Sequence, residues 1–243
     1  MIHAFRESVL SMYESVRLTV FGFIYDLLAK PTLFQSTFGR RLIRNYSGDA
    51  GQHTDTVTGF TGYGLIHYAM VRNLRPARIL CIGSRKGFIP GILALAARDN
   101  AVGHVDFVDP GFDRAGHPGK SWGGVGFWKK GVAQAHFAKL GVGSRITHYP
   151  MTSRAFAKQY PRRKYGYIYI DGDHSYTGVS TDYRMFWPRL VRGGLMVFHD
   201  IAAHGKLEGG IFGVHTLWKN IPVEQKICFP VPRESGLGIV QKP

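Results

Sequence analysis

The sequence predicts an α/β fold built on a doubly wound, mostly parallel sheet. Two observations carry this. From Arg78 onward, apolar runs of strand length alternate with helix-compatible stretches, and the strands are hydrophobic almost without a break, as strands covered on both faces must be. The tail then breaks the rhythm. Lys226–Phe229 and 237–240 are strand-like but separated by only seven residues, 230–236, too few for a crossover helix. They predict a terminal antiparallel hairpin.

Taken in order, the chain divides into an N-terminal helical extension, 1–75, and a ligand-binding domain, 76–243. Residues 4–29 carry Val9, Tyr13, Val16, Val20, Ile24 and Leu27 at helical spacing and stop before Lys30-Pro31. This amphipathic helix would cap the main domain, form a homodimer contact or lie on a membrane surface. The polar, Gly- and Thr-rich stretch 31–61 reads as irregular, and a second helix covers 63–73, ending ahead of Pro76. The alternation follows. Strands are expected at Arg78–Ile82, His104–Val108, Ile146–Tyr149, Tyr165–Ile170 and 194–198, with helices over 89–97, 132–140 and 183–190. Two loops rich in glycine, 110–131 with Trp122, Phe127 and Trp128, and 201–217, follow strand ends where open α/β sheets place ligands. Each is either a substrate lid or a structural loop folded over a buried aromatic.

Bulk properties narrow the functional classes. Of 243 residues, 44% are hydrophobic and 19% charged, which supports a sizeable core and argues against a disordered chain. Lys and Arg outnumber Asp and Glu by 31 to 16, a net charge of +15 that favours acidic partners. The basic residues are scattered, with short clusters only at Arg40, Arg41 and Arg44 and at Arg162, Arg163 and Lys164, so nucleic-acid binding is not the leading role. Cys81 and Cys228 lie in apolar, strand-like runs and read as buried free thiols in a reducing cytoplasm. The most lipid-like stretch, 18–25, is bracketed by Arg17 and Asp26 and is too short for a transmembrane segment. Glu7, Glu14 and Asp26 interrupt any signal-peptide pattern, so a cytoplasmic protein is expected.

The first strand runs into Cys81-Ile82-Gly83-Ser84-Arg85-Lys86-Gly87 and then a helix. Glycine lets backbone approach a ligand closely, and the helix start offers unpaired N–H groups. The spacing G-x-x-x-G is neither the dinucleotide fingerprint nor a P-loop. Asp109 ends the second strand, twenty-two residues beyond Gly87. An acid there suits ribose hydroxyls, and equally a turn or cap before Pro110. Loop and acid together favour a nucleoside-bearing ligand over either alone.

The longest motif is YIYIDGDHSYTGVSTDYRMFWPRLVRGGLMVFHDI, residues 167–201. With the G-x-x-x-G loop and the reversed terminal hairpin, the chain over roughly 60–243 resembles the Rossmann-like class I S-adenosylmethionine-dependent methyltransferases. The long motif is similar to the bacterial branch of small-molecule O-methyltransferases, macrolide-sugar enzymes among them. The resemblance implies that Ile82, Gly83, Ser84 and Gly87 wrap the methionine moiety of S-adenosylmethionine and that Asp109 binds its ribose. It also implies that Thr152 and Ser153, after Met151, approach adenine, and that Asp171 lies beside the transferred methyl. Two departures stand out: Cys81 replaces a usual acid, and the adenine loop lacks an acidic residue.

Asp171 and the pair His199-Asp200 end adjacent parallel strands. In metal-dependent relatives acids or amides in these positions hold a divalent cation; oxygen ligands suit Mg²⁺, and a histidine among them shifts preference toward Mn²⁺ and other transition metals. Without a metal, His174 or His199 would serve as general base toward a hydroxyl of a small-molecule acceptor, a sugar or secondary metabolite. Asp173 reads as the cap of the next helix, and His204 and His215 as solvent-facing loop residues. Two rivals remain. A nicotinamide-dependent oxidoreductase is disfavoured by the glycine spacing. An RNA-directed methyltransferase or RNA-binding protein is prompted by the +15 charge, although the N/D-P-P-Y/F pattern of base N-methylation is missing.

Overall fold

The computed structural model describes residues 16, 20, 37–47, 50–111, 127–128, 131–207, 210–229 and 235–243. The helix expected over 4–29 lies outside these residues apart from Val16 and Val20, which are helical and exposed. Trp122 and most of 110–131 lie outside them as well.

Five strands run parallel: β1 (Arg78–Ile82), β2 (His104–Val108), β3 (Ile146–Tyr149), β4 (Tyr165–Ile170) and β5 (Leu190–His199). The expected hairpin follows as β6 (Lys226–Phe229) and β7 (Leu237–Gln241). The order across the sheet is β3-β2-β1-β4-β5-β7-β6, with β7 antiparallel to β5. The order reverses between β1 and β4, and the C-terminal ends of strands at such a switch point are where open α/β sheets place their ligands.

Alternation along each strand divides two cores. Ile79, Phe107, Tyr167, Tyr169 and Val197 face α1 (Thr37–Tyr46), α2 (Tyr63–Leu74), α3 (Phe88–Asp99) and α4 (Val132–Lys139). Leu80, Val108, Ile168, Ile170 and Phe198 face α5 (Ser153–Gln159), α6 (Tyr176–Phe186) and α7 (Val214–Asn220). Helix α1 corrects the expectation that 31–61 is irregular. Its buried Leu42, Ile43 and Tyr46 recur at helical spacing and join the same core as β1, and this packing outweighs the polar composition around them. Cys81 is buried as expected, whereas Cys228 is exposed because β6 is an edge strand. The second loop, expected over 201–217, already turns into α7 at Val214. Helix α6 begins at Tyr176, earlier than the sequence pattern indicated, because Ser175 caps it by accepting from Gly178 N–H at 3.0 Å. Asp173 is therefore not the cap. It lies two residues ahead and accepts from Ser175 N–H at 2.9 Å.

A polar cluster on β2 escaped sequence reading. The Asp106 side chain is wholly buried and accepts from Arg163 at 3.0 Å, Arg78 at 3.2 Å and the Tyr165 hydroxyl at 3.1 Å. Arg163 also lies over the Tyr160 ring at 3.7 Å. A buried carboxylate tolerates its desolvation only with such partners, and removing it takes the shared acceptor from Arg163, Arg78 and the buried Tyr165 hydroxyl at once. Asp106→Ala is expected to lower unfolding free energy by about 3 kcal/mol in denaturant titration; a change under about 0.5 kcal/mol, the range of ordinary surface substitutions, would contradict this role.

Helices α5 and α6 are tied by Ser153, whose hydroxyl donates to buried Asp182 at 2.6 Å. Burial pushes the Asp182 carboxyl up to about 6, against the pull of the Ser153 hydrogen bond. The folded value exceeds the unfolded one, so ionisation costs stability as pH rises from about 4 to about 6. Asp182→Asn removes that cost. The variant's melting temperature relative to the parent is expected to rise across this window and level off above it, by the equivalent of up to about 3 kcal/mol. A pH-independent difference would show that Asp182 does not titrate there.

Candidate active site

The ladder of the sheet continues one residue past several strands. Asp171 N–H donates to Ile82 C=O at 2.9 Å, Gly83 N–H to Val108 C=O at 2.9 Å, and Asp109 N–H to Tyr149 C=O at 3.2 Å. These bonds place the glycine loop, Asp109 and Asp171 side by side at one end of the sheet. Gly83 turns with φ 77°, and a Cβ there would overlap the Asp171 carbonyl, so only glycine permits the contact.

Within the loop, Ser84 N–H donates to Asp109 Oδ2 at 3.0 Å, and the Ser84 hydroxyl accepts from Gly87 N–H at 3.1 Å, just ahead of α3. Asp109 Oδ1 accepts from Gly111 N–H at 2.8 Å. Burial pushes this carboxyl up to about 6, although both N–H groups pull the other way. Trp128 holds the loop from outside: its indole N–H donates to Ser84 C=O at 2.8 Å and its ring stacks on Phe137. That answers the choice left open for this aromatic. It is 2% exposed and structural.

Beyond the end of β3, Thr152 caps α5 by accepting from Ala155 N–H at 3.2 Å. With Ser153 engaged by Asp182, both side chains of the expected adenine loop fix its conformation.

The second half of the site is a cluster of four: Asp171, His174, His199 and Asp200, each offering a donor atom within 4.8 Å of the others. The parallel register brings them together, because Ile170 lies beside Phe198 and the following residues continue in step. Asp200 adopts φ 62°, a left-handed conformation that aspartate tolerates better than most residues, and this folds its carboxylate back toward His174. His174 Nε2 lies 2.9 Å from Asp200 Oδ2 and 3.1 Å from Asp171 Oδ1. His199 Nδ1 lies 3.1 Å from Asp200 Oδ1 and 3.3 Å from Asp171 Oδ1, yet it is buried with no directed hydrogen bond.

Electrostatics in the cluster are a balance of burial against opposite charge. Burial opposes ionisation of both carboxyls, but His199 and His174 outweigh it and hold Asp171 and Asp200 below the usual carboxylate range. Burial likewise opposes the imidazolium of His174, and the two carboxylates lift it to about 9. His199 is raised for the same reason.

Sequence reading missed the layer behind the cluster. Gly51 C=O accepts from His199 Nε2–H at 3.1 Å and from the Ser235 hydroxyl at 2.7 Å. Gln52 Nε2 donates to the Tyr169 hydroxyl at 3.2 Å, which donates to Asp171 Oδ2 at 2.9 Å. His67, fully buried on α2, lies 2.6 Å from the Tyr167 hydroxyl and is held neutral by burial, its value lowered to about 3. The one available signal was Tyr167 and Tyr169 alternating on a strand, since a buried tyrosine hydroxyl requires a partner. By contrast, His204 is exposed, its ring lying 4.1 Å from that of half-buried His215 at a 54° tilt, and neither belongs to the group of four.

A family model described as a methyltransferase domain matches residues 80–201, half of the chain. Comparison with curated proteins finds no match. Among solved structures, the O-methyltransferase from Bacillus cereus in complex with SAH aligns with TM-score 0.57 and 12% identity, over 92% of this chain and 97% of that one. The SAH-bound methyltransferase of Podospora anserina aligns with TM-score 0.57 and 13% identity, over 95% and 96%. TomG from Streptomyces achromogenes, an O-methyltransferase involved in tomaymycin synthesis and seen with SAM, aligns with TM-score 0.54 and 13% identity, over 93% and 96%. At these identities the likeness to solved structures is one of fold. The family match goes further, because its span begins within β1 and ends just beyond Asp200, taking in the glycine loop, Asp109 and the cluster: the chain belongs to the methyltransferase domain family, in the class I S-adenosylmethionine-dependent group.

Proposed function

We propose that this chain transfers a methyl group from S-adenosylmethionine to a hydroxyl oxygen of a small molecule, with the four-residue cluster as the reaction centre. The observation that carries this is the contact between Gly83 and Asp171: the loop suited to the cofactor lies directly against the cluster. Ile82, Gly83, Ser84 and Gly87 are assigned to the methionine part, Asp109 to ribose, and Thr152 and Ser153 to shaping the adenine side. The O-methyltransferase names of the structural neighbours support oxygen as the acceptor atom. The nicotinamide and RNA-directed readings draw no support from the family.

The donor set also fits a divalent cation. Two carboxylates and His199 Nδ1, a buried atom without a hydrogen-bond partner, converge within the span of one coordination sphere. Asp171, Asp200 and His199 are assigned as its ligands, and such a cation would lower the pKa of an acceptor hydroxyl. His174 is the most accessible of the four, with 17% of its side chain exposed against 2% for His199. It is assigned to receive the hydroxyl proton as the acceptor oxygen is methylated, acting in its neutral form, which a cation drawing on the two carboxylates would favour.

Two measurements test this reading. S-adenosylhomocysteine, and not NAD, is expected to raise the melting temperature, and Asp109→Ala to weaken its binding about tenfold or more. A shift with NAD alone would sink the proposal. With an acceptor in hand, His174→Gln is expected to lower kcat about 10²–10⁴-fold while leaving S-adenosylhomocysteine affinity nearly intact. An unchanged kcat would remove His174 from the chemistry.

A further inference from the structure

We infer that the Gly51 carbonyl, held in place by Ser235, fixes His199 as a nitrogen ligand through Nδ1 and so makes the cluster selective for borderline first-row cations over Mg²⁺. This rests on the cation site proposed above, with His199 Nδ1 among its ligands, and adds to it the groups that position that atom and the metal preference that results.

A backbone carbonyl can only accept, so the 3.1 Å contact with Gly51 requires the hydrogen on His199 Nε2. That leaves Nδ1 as the atom turned toward the carboxylates, at 3.1 and 3.3 Å from them and with no hydrogen-bond partner. A metal-bound imidazole characteristically donates its other N–H to a carbonyl or carboxylate, which fixes both tautomer and ring orientation. Here the acceptor is itself fixed. The Ser235 hydroxyl donates to the same carbonyl at 2.7 Å, and His53 Nε2 lies 3.3 Å from that hydroxyl. The adjoining Gln52 anchors the same turn to Tyr169 and through it to Asp171. Three successive residues, 51–53, thus brace the back of the cluster, and two of its four members are held by them.

Metal preference follows from donor chemistry. Mg²⁺ favours an all-oxygen octahedron and keeps its waters, whereas imidazole nitrogen raises affinity along the series from Mn²⁺ to Co²⁺ and Zn²⁺. The cluster offers two carboxylates and the buried imidazole of His199, the donor set of the second group.

The test is cation binding by the full chain, without acceptor, at fixed pH. Calorimetric titration with Co²⁺, Mn²⁺ and Mg²⁺ is expected to show Co²⁺ binding roughly a hundredfold tighter than Mg²⁺. His199→Asp, which supplies oxygen in place of nitrogen, is expected to bring that ratio close to one. Ser235→Ala is expected to weaken Co²⁺ about tenfold or more, and Ser235→Thr, which keeps the hydroxyl, to restore it. Pulsed electron paramagnetic resonance of the Mn²⁺ form gives a readout that does not depend on any variant folding. Modulation from a coordinated nitrogen is expected in the parent protein and in His174→Gln, and is lost in His199→Asp. If Mg²⁺ binds as tightly as Co²⁺ and the Mn²⁺ form shows no nitrogen, the nitrogen-ligand inference is overturned while a cation site stands. If none of the three cations binds, the cation site and the inference fall together, and methyl transfer by His174 alone remains open to the kinetic test.

Discussion

Two carboxylates and two imidazoles share one largely buried cluster because β4 and β5 run parallel with Ile170 beside Phe198. Any one of these side chains alone would be costly there, since an unpaired ion leaves water at a penalty of several kcal/mol. Together they offset one another: the imidazoles hold both carboxyls below their usual range and the carboxylates raise both imidazoles, a balance in which a bound cation would take the place of the His199 Nδ1 proton. Much of the local backbone is arranged to preserve that balance. Gly83 makes a turn no other residue could make against Asp171, and Asp200 takes a left-handed conformation to face His174. A left-handed non-glycine residue such as Asp200 is characteristic of sites where position matters more than stability.

The site is also asymmetric in how it is supported. On the glycine-loop side the parts are mostly backbone: the N–H groups of Ser84 and Gly111 against Asp109, and Trp128 clamping Ser84 from outside. On the cluster side the support is a buried polar network running from Gly51 and Gln52 through Tyr169 and His199. A fully connected network of this kind holds its members in one arrangement, and preorganised geometry is what methyl transfer chiefly needs. Residues 37–75 therefore do more than decorate the sheet. Leu42, Ile43, Tyr46 and Tyr63 share its core, and the turn at 50–52 reaches His199 and, through Tyr169, Asp171.

The sheet and the first layer of the site were legible in sequence because both depend on local pattern. Continuous apolar runs located β1 to β4 at their observed bounds, and the seven-residue separation in the tail revealed the hairpin. The charged ends of two such runs revealed Asp171 and His199-Asp200. What stayed hidden depends on contacts between residues distant in sequence. Gly51 meets His199 across 148 positions and Ser235 across 184, and no spacing in the chain encodes either. Helix α1 was hidden for a related reason, since its apolar positions are outnumbered by Arg, Asn and Thr and gain their meaning only against β1 and α3. Asp173 was misread because three polar residues in a row, Asp173, His174 and Ser175, all suit a helix start, and only geometry picks Ser175.

The proposal that methyl transfer occurs at the ends of β4 and β5 is most directly examined by diffraction from crystals grown with S-adenosylhomocysteine and Mn²⁺, using the anomalous signal of the metal. A single strong peak among Asp171, His199 and Asp200, with the cofactor sulfur facing it from the Gly83 loop, is the expected result. Cofactor bound away from that loop, or sulfur and metal separated by the body of the sheet, would contradict it.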